Sequence, residues 1–200
     1  MCFLRHLPEE SALETLERAR TFLDHIIGVG LDSGERGNPP QNFVTAFARA
    51  RAAGLRAVAH AGEEGPPEYI RDSLDLLGAE RIDHGVACEQ DAALVERLAA
   101  EGIALTVCPL SNMKLQVFPD LRRHNLRRLL QRGVRVTINS DDPAYFGGYI
   151  GDNYLAAQEA LGLTREELAR LAAHAVEAAF LDEGRRGELR AELEEYLARA

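Results

Sequence analysis

The stretch Leu55-Arg-Ala-Val-Ala-His-Ala-Gly-Glu63 decides the fold class of this chain. Its first six residues form a mostly apolar run that predicts a buried strand, and ionisable and small residues follow at the end of that run. Three further segments repeat this arrangement: Asp83-His-Gly85, Cys108-Pro-Leu-Ser-Asn112 and Asn139-Ser-Asp-Asp-Pro143. Successive strand ends of this kind predict one mouth of a parallel (β/α)8 barrel, where side chains from several strands converge.

The strand candidates are continuous apolar runs, which is typical of strands buried on both faces. They are residues 26–31, 55–60, 81–84, 103–107 and 134–139, with residues 2–4 as the end of a sixth. The helical patterns are 9–23, 42–53, 67–77, 91–101, 121–131, 153–161, 165–181 and 185–198. We therefore expect an α/β fold, an incomplete (β/α)8 barrel of about the last five to six βα units plus C-terminal helices. The whole chain, 1–200, is expected to be a single domain.

Composition excludes several classes of function. The net charge is −9 and no basic stretch occurs, so a nucleic-acid backbone is not an expected partner. No apolar run approaches the roughly 20 residues of a membrane span. The N-terminus lacks the apolar core of a signal peptide, and the three scattered cysteines form neither a disulfide framework nor a zinc motif. These features favour a reducing, cytoplasmic location.

His60 and Glu63 are the first candidate site residues. Imidazole is the commonest zinc ligand, and a carboxylate three residues later suits a proton shuttle beside a metal-bound water. For His60 alone, a satisfied core histidine is the more common explanation. Glu64 is the competing acid, although it is more simply explained as a solvated charge at the start of a helix.

Two other strand ends repeat this chemistry. His84 could orient or deprotonate a metal-bound water, or simply hydrogen-bond a neighbouring strand end, and Asp83 beside Arg81 could be structural. Asp141 and Asp142 point in different directions, so one can bind a metal while the other contacts a substrate. Their mutual repulsion favours a bound cation, but Asp-Asp-Pro is also a common turn.

The remaining polar residues of these segments are weaker candidates. Cys108 has no matching base nearby in the sequence, which favours a buried small apolar residue over a nucleophile. Ser111 and Asn112 could line a pocket or cap a turn. The other histidines are interpreted as structural or exposed: His6, His25, His124 and His174.

The segments H-A-G-E, D-H-G, C-P-L-S-N and S-D-D-P, in this order and spacing, resemble the zinc-dependent adenosine/adenine deaminases. The resemblance extends from Cys2 to about Leu181. Residues 29–35, 38–40, 63–69 and 142–148 are similar to the adenine deaminase branch. The nucleoside branch carries a longer loop where this chain has Asp32-Ser-Gly-Glu35. The resemblance implies hydrolytic deamination of adenine to hypoxanthine and ammonia, with adenosine as an alternative substrate.

The resemblance also implies a role for each site residue. His60 and Asp141 would be zinc ligands. Glu63 would donate a proton to purine N1, and His84 would position the attacking hydroxide. Three further residues would bind the substrate: Asp142 at purine N7, and Ser33 and Gly34 near N3.

The chain departs from the family in one respect. The family's first strand carries an H-x-H pair that supplies two zinc ligands, and no H-x-H occurs here. Catalytic zinc normally has three protein ligands, so this chain alone is expected to bind zinc poorly, to show little activity and to aggregate or form homo-oligomers. It is either the C-terminal piece of a deaminase, completed by a missing N-terminal barrel segment, or a non-catalytic remnant that acts as an interaction module.

Overall fold

The computed structural model describes residues 1–199, which divide into two compact units, Met1–Arg97 and the residues from Leu98 onward. Both units alternate parallel strands with helices. The expectation of a single domain over 1–200 stays a prediction.

The first unit contains four parallel strands in the order β1-β2-β3-β4. Their bounds are Cys2–Leu4, Gly28–Asp32, Arg56–Ala61 and Arg81–His84. The helices are α1 (Glu9–Arg18), α2 (Val44–Ala52), α3 (Pro67–Asp72) and, leading into the second unit, α4 (Ala92–Glu101). Short 3₁₀ segments at Arg20–His25, Pro40–Phe43 and Val86–Gln90 and a π turn at Ser73–Leu77 complete it.

The second unit contains the parallel pair β5 (Ala104–Val107) and β6 (Arg135–Ile138). Its helices are α5 (Pro109–Lys114), α6 (Leu126–Gln131), α7 (Pro143–Phe146), α8 (Ile150–Leu161), α9 (Arg165–Ala178) and α10 (Glu183–Arg199). A 3₁₀ segment at Leu121–Arg123 precedes α6. No helix among residues 1–199 has both the length and the apolar content that a membrane crossing requires.

The predicted strands all form, and most of their buried residues are apolar, as expected for strands covered on both faces, for example Val29, Leu31 and Ile82. His84 and Thr137 are buried polar residues of the strands. The predicted helix over 9–23 is too long, because α1 ends at Arg18 and the chain tightens into a 3₁₀ segment. Two short helices, α5 and α7, are absent from the prediction. Each begins with proline at its first position, where the missing N–H costs no hydrogen bond.

Candidate active site

Asp32, His60 and Asp83 form a row across the C-terminal ends of β2, β3 and β4. Asp83 lies opposite His60 in the register, and Leu31 lies opposite Ala59, which brings Asp32 beside the same histidine. His60 Nε2 is 3.7 Å from Asp32 Oδ1, and its Nδ1 is 3.7 Å from Asp83 Oδ2. The imidazole is therefore placed between two carboxylates at the mouth of the first unit.

His84 joins this row because its backbone leaves the regular strand conformation. Neighbouring residues of a strand normally point to opposite faces. His84 has φ +63°, and its ring centroid lies 4.9 Å from that of His60. Its Nδ1 is 3.2 Å from Glu63 Oε1, and the two side chains are only 2% and 11% exposed. The structure therefore brings three predicted site residues of the first unit together: His60, Glu63 and His84.

Residues 62–65, here called the Glu63 turn, are held by a carboxylate that the sequence interpretation overlooked. Glu35 is 2% exposed and accepts hydrogen bonds from three backbone N–H groups of the turn. The donors are Gly62 at 2.9 Å, Glu63 at 3.1 Å and Gly65 at 2.7 Å. The backbone of Glu63, the predicted proton donor, is thus held by Glu35, which lies on the loop that follows β2.

Arg5 is a second overlooked residue. It follows β1 and is 1% exposed, with Nε donating to the Asn38 carbonyl at 2.8 Å and Nη1 to the His60 carbonyl at 2.7 Å. Burial lowers the pKa of Arg5, while the negative charge of Glu35 opposes that shift. Neither Arg5 nor Glu35 lies in a local pattern that reveals its role, because their partners are far away in the sequence.

Ser33 and Gly34 lie on the loop after β2. Ser33 has φ +80°, its N–H donates to Asp32 Oδ1 at 2.8 Å, and its Oγ is 2.7 Å from His6 Nδ1. Gly34 is exposed. Both residues are therefore accessible at the end of β2, as their expected role in binding a substrate requires.

In the second unit, residues 139–142 form the segment here called the Asp141 turn. Asp141 has φ +55°, and Ser111 donates its Oγ–H to Asp141 Oδ2 at 2.7 Å. Asp142 is exposed, and its carbonyl accepts the Tyr145 N–H at the start of α7. Ser111, a weak candidate from the sequence, is thus a direct partner of the predicted metal ligand.

Cys108 and Asn112 serve packing in the second unit. Cys108 is 5% exposed, which agrees with its interpretation as a buried small residue. The Leu126 N–H donates to His124 Nδ1 at 3.1 Å, which leaves Nε2–H to donate to Asn112 Oδ1 at 3.2 Å. His124 is therefore held as one neutral tautomer inside the unit, in agreement with the structural interpretation.

Left-handed backbone conformation coincides with the predicted site. Among residues 1–199, four non-glycine residues have positive φ: Ser33, His84, Gln116 and Asp141. The first, second and fourth are candidate site residues from the sequence. Such conformations cost of order 1–3 kcal/mol each and tend to occur where function constrains the backbone.

His60 in the first unit and Asp141 in the second each carry a donor group that fits zinc. Imidazole nitrogen and carboxylate oxygen are both ordinary zinc ligands. An acidic residue beside the second ring nitrogen, as Asp83 is beside His60, commonly orients a metal-binding histidine. Two ligands are fewer than the three that catalytic zinc usually has, so a complete site needs donors beyond these two.

The chain belongs to the adenosine deaminase family, and the sequence model of that family matches residues 1–196. It is 56% identical over 197 residues to an adenine deaminase of Hahella chejuensis, covering 98% of this chain and 59% of that protein. It is 58% identical over 196 residues to an adenine deaminase of Cupriavidus necator, covering 98% of this chain and 56% of that protein.

Solved structures confirm the predicted fold class, an α/β chain that forms part of a (β/α)8 barrel. The crystal structure of adenine deaminase from Arthrobacter aurescens matches with a TM-score of 0.96 and 47% identity, over 98% of this chain and 60% of that one. An amidohydrolase from Burkhoderia ambifaria with bound Zn matches with a TM-score of 0.90 and 27% identity, over 100% of this chain and 58% of that one. The chain thus spans at most about 60% of each of these proteins.

Proposed function

We propose that this chain supplies the carboxyl-terminal part of a zinc-dependent active site that hydrolyses adenine to hypoxanthine and ammonia, a purine salvage reaction. The observation that carries the proposal is the pairing of Glu63 with His84 beside His60 at neighbouring strand ends. The two adenine deaminase relatives, each matching 98% of the chain, support adenine as the substrate.

Glu63 is proposed as the acid that delivers a proton to purine N1. Attack of water at C6 pushes electron density onto that ring nitrogen, so a proton supplied there stabilises the transition state more than the ground state. The Glu63 side chain is 11% exposed, and its Oε1 lies within reach of His84 Nδ1.

His84 is proposed to position the attacking water and accept its proton. Its ring is almost fully buried, and contacts with Glu63 and His60 fix the orientation of the ring. An orientated imidazole transfers protons near neutral pH, which matches this role.

His60 and Asp141 are the residues of this chain that would hold zinc. Zinc, when bound, supplies Lewis-acid chemistry and lowers the pKa of water to about 7. Asp142, Ser33 and Gly34 are proposed to bind the purine, at N7 for Asp142 and near N3 for the other two. All three are at least partly exposed, so the substrate can reach them.

The test is a deaminase assay with added Zn²⁺ on the chain co-expressed with the part of the Hahella chejuensis relative that the chain does not cover. We expect loss of adenine absorbance by the assembly and little or none by the chain alone. Glu63→Gln should lower turnover about 10²–10⁴-fold, the usual contribution of a general acid. Glu68→Gln makes the same change on the exposed face of α3 and should leave turnover unchanged.

Adenosine is assayed in parallel, because the family includes deaminases of that nucleoside. A second candidate function is a non-catalytic interaction module, and the same assay tests it. An assembly that is soluble and binds zinc but turns over neither purine would favour the module over the enzyme.

The surroundings of the enzyme are also part of the proposal. We place it in a reducing cytoplasm, which the free cysteines Cys2, Cys88 and Cys108 support. The donors that complete the zinc site would come from an N-terminal barrel segment or from another copy of the chain. Zinc affinity measured against protein concentration separates the two sources, because only the second depends on self-association.

A further inference from the structure

The carboxylate of Glu35 has no part in the reaction proposed above, yet it is more buried than most of the site. It carries a formal negative charge at 2% exposure and accepts backbone hydrogen bonds from residues 27 to 30 positions away. A buried carboxylate is costly unless it is well hydrogen-bonded. The role of Glu35 is therefore inferred from its hydrogen-bond partners.

The three N–H groups that Glu35 accepts all belong to the Glu63 turn. Oε2 accepts from Gly62 and Gly65, and Oε1 accepts from Glu63. Gly62 has φ +71°, which turns the chain sharply after β3. Successive backbone N–H groups that converge in such a turn form a concave anion site. In this protein a carboxylate of the same chain fills that site.

Space around the turn is matched to the Glu35 side chain. A Cβ built on Gly65 would lie 2.2 Å from Glu35 Oε2 and 2.7 Å from Tyr69 Cδ2. Glycine at this position therefore allows the carboxylate to approach the backbone. Arg5 adds a second anchor through the His60 carbonyl, and its charge offsets that of Glu35.

We propose that Glu35 is a positioning residue that sets where the Glu63 carboxyl group lies relative to His84. The Glu63 N–H and the N–H groups of the glycines at positions 62 and 65 are bound to one carboxylate, so the backbone that carries Glu63 has little freedom. With the backbone fixed, few rotamers bring Oε1 to 3.2 Å from His84 Nδ1. This inference rests on the proposed function for its catalytic meaning, while the fixation of the turn can be tested without it.

The test is Glu35→Gln, with Glu68→Gln as the matched control. A glutamine side chain has one acceptor oxygen, so its NH₂ group must face at least one of the three backbone donors. Amide hydrogen exchange of residues 62–65 is followed by NMR on the full chain. Exchange at Glu63 or at the glycine pair should become about tenfold faster or more, the loss expected for hydrogen bonds to a charged acceptor. The control should exchange like the wild type.

Kinetics in the zinc-loaded assembly distinguish positioning from simple stabilisation. A misplaced Glu63 should lower kcat about tenfold or more while the KM for adenine changes less than about twofold, because the proton donor acts in the transition state. Faster exchange with an unchanged kcat would overturn the positioning role. Unchanged exchange would overturn it as well.

If Glu35→Gln does not fold, a measurement on the wild-type chain still tests the proposal. The amides of Gly62, Glu63 and Gly65 must then be protected relative to that of exposed Gly37, and equal exchange would refute the proposal. Full turnover by Glu63→Gln, or no turnover by the wild-type assembly and its variants, would count against the proposed function alone. The exchange results for Glu35 keep their meaning in both cases.

Discussion

The Glu63 turn and the Asp141 turn are held by hydrogen bonds of different kinds. Each follows a parallel strand, carries a carboxylate with a proposed role and contains a left-handed residue, Gly62 in the first and Asp141 in the second. In the first turn a buried carboxylate binds the backbone through three N–H groups, whereas in the second a Ser111 hydroxyl binds the reactive side chain itself. Hydrogen bonds thus fix the backbone at the proposed proton donor, whereas they fix the side chain at the proposed metal ligand.

The largest expected effect is at Arg5. Arg5→Met removes a charged donor from two backbone carbonyls and leaves the buried charge of Glu35 without its offset. We expect the free energy of unfolding to fall by about 3 kcal/mol. Urea unfolding measures this, with the exposed Arg122→Met as the control that should change little. Unchanged or increased stability would mean that the desolvation of the guanidinium is at least as unfavourable as its contacts are favourable.

Gly65→Ala tests whether the Glu63 turn is as closely packed as its contacts indicate. The new Cβ must displace the Glu35 carboxylate or the Tyr69 ring, so we expect a loss of about 2 kcal/mol in thermal or urea unfolding. Gly151→Ala is the matched control, because a Cβ at this position in α8 meets nothing within 4 Å. Equal stability of the two variants would contradict the tight packing.

Ser111→Ala examines the other side of the comparison. Loss of the 2.7 Å bond to Asp141 should cost about 1.5 kcal/mol, the value typical of a hydrogen bond to a charged group. Ser140→Ala removes a hydroxyl that reaches only the Asp141 carbonyl at 3.5 Å and should cost less. If added Zn²⁺ restores the lost stability of the complete assembly, the metal takes over the ordering of Asp141.

The smallest effect is expected at Glu167, where the second unit uses a buried carboxylate away from the Asp141 turn. Burial alone would raise the pKa of Glu167, but hydrogen bonds from Arg127, the Thr164 N–H and Gln131 outweigh it and lower the pKa. A lowered folded-state pKa gives stability that is present above about pH 4.3, the unfolded value, and is lost as the pH falls through the folded value.

Glu167→Gln should therefore cost about 1 kcal/mol at neutral pH, because it replaces the charged partner of Arg127 by a neutral one, and progressively less under acid conditions. Urea unfolding measured from pH 7 to pH 3 tests this, with the exposed Glu159→Gln as the control. A stability difference that stays constant across this range would contradict the assignment.

The strands, and the polar residues at their C-terminal ends, could be located from the sequence. Apolar runs that end at His60, at His84 and at Asn139, two residues before Asp141, located the strand ends, because the apolar run and the polar residues after it are adjacent in the sequence. The T-x-x-E pattern of Thr164 and Glu167 is a local signal of the same kind, and it forms a capping box with both reciprocal hydrogen bonds.

The supporting residues could not be found in the same way. Arg5 reaches the His60 carbonyl across 55 positions, and Glu35 reaches the Glu63 turn across 27 to 30. No short pattern encodes such contacts, since they exist only after the strands have paired. The left-handed conformation at His84 could not be predicted from the sequence either. Glycine adopts positive φ readily, whereas histidine does so only occasionally.

The left-handed non-glycine residues also connect heat resistance with function. Exchange to glycine at Ser33, His84 or Asp141 would relieve backbone strain, but at Asp141 it would remove the bond to Ser111 and at buried His84 it would leave a cavity. Selection for activity would oppose it wherever the side chain does chemistry. Gln116, which shares the conformation but has no proposed role, provides an internal reference. A library selected only by heating would then show at which of these positions the backbone strain outweighs the contacts of the side chain.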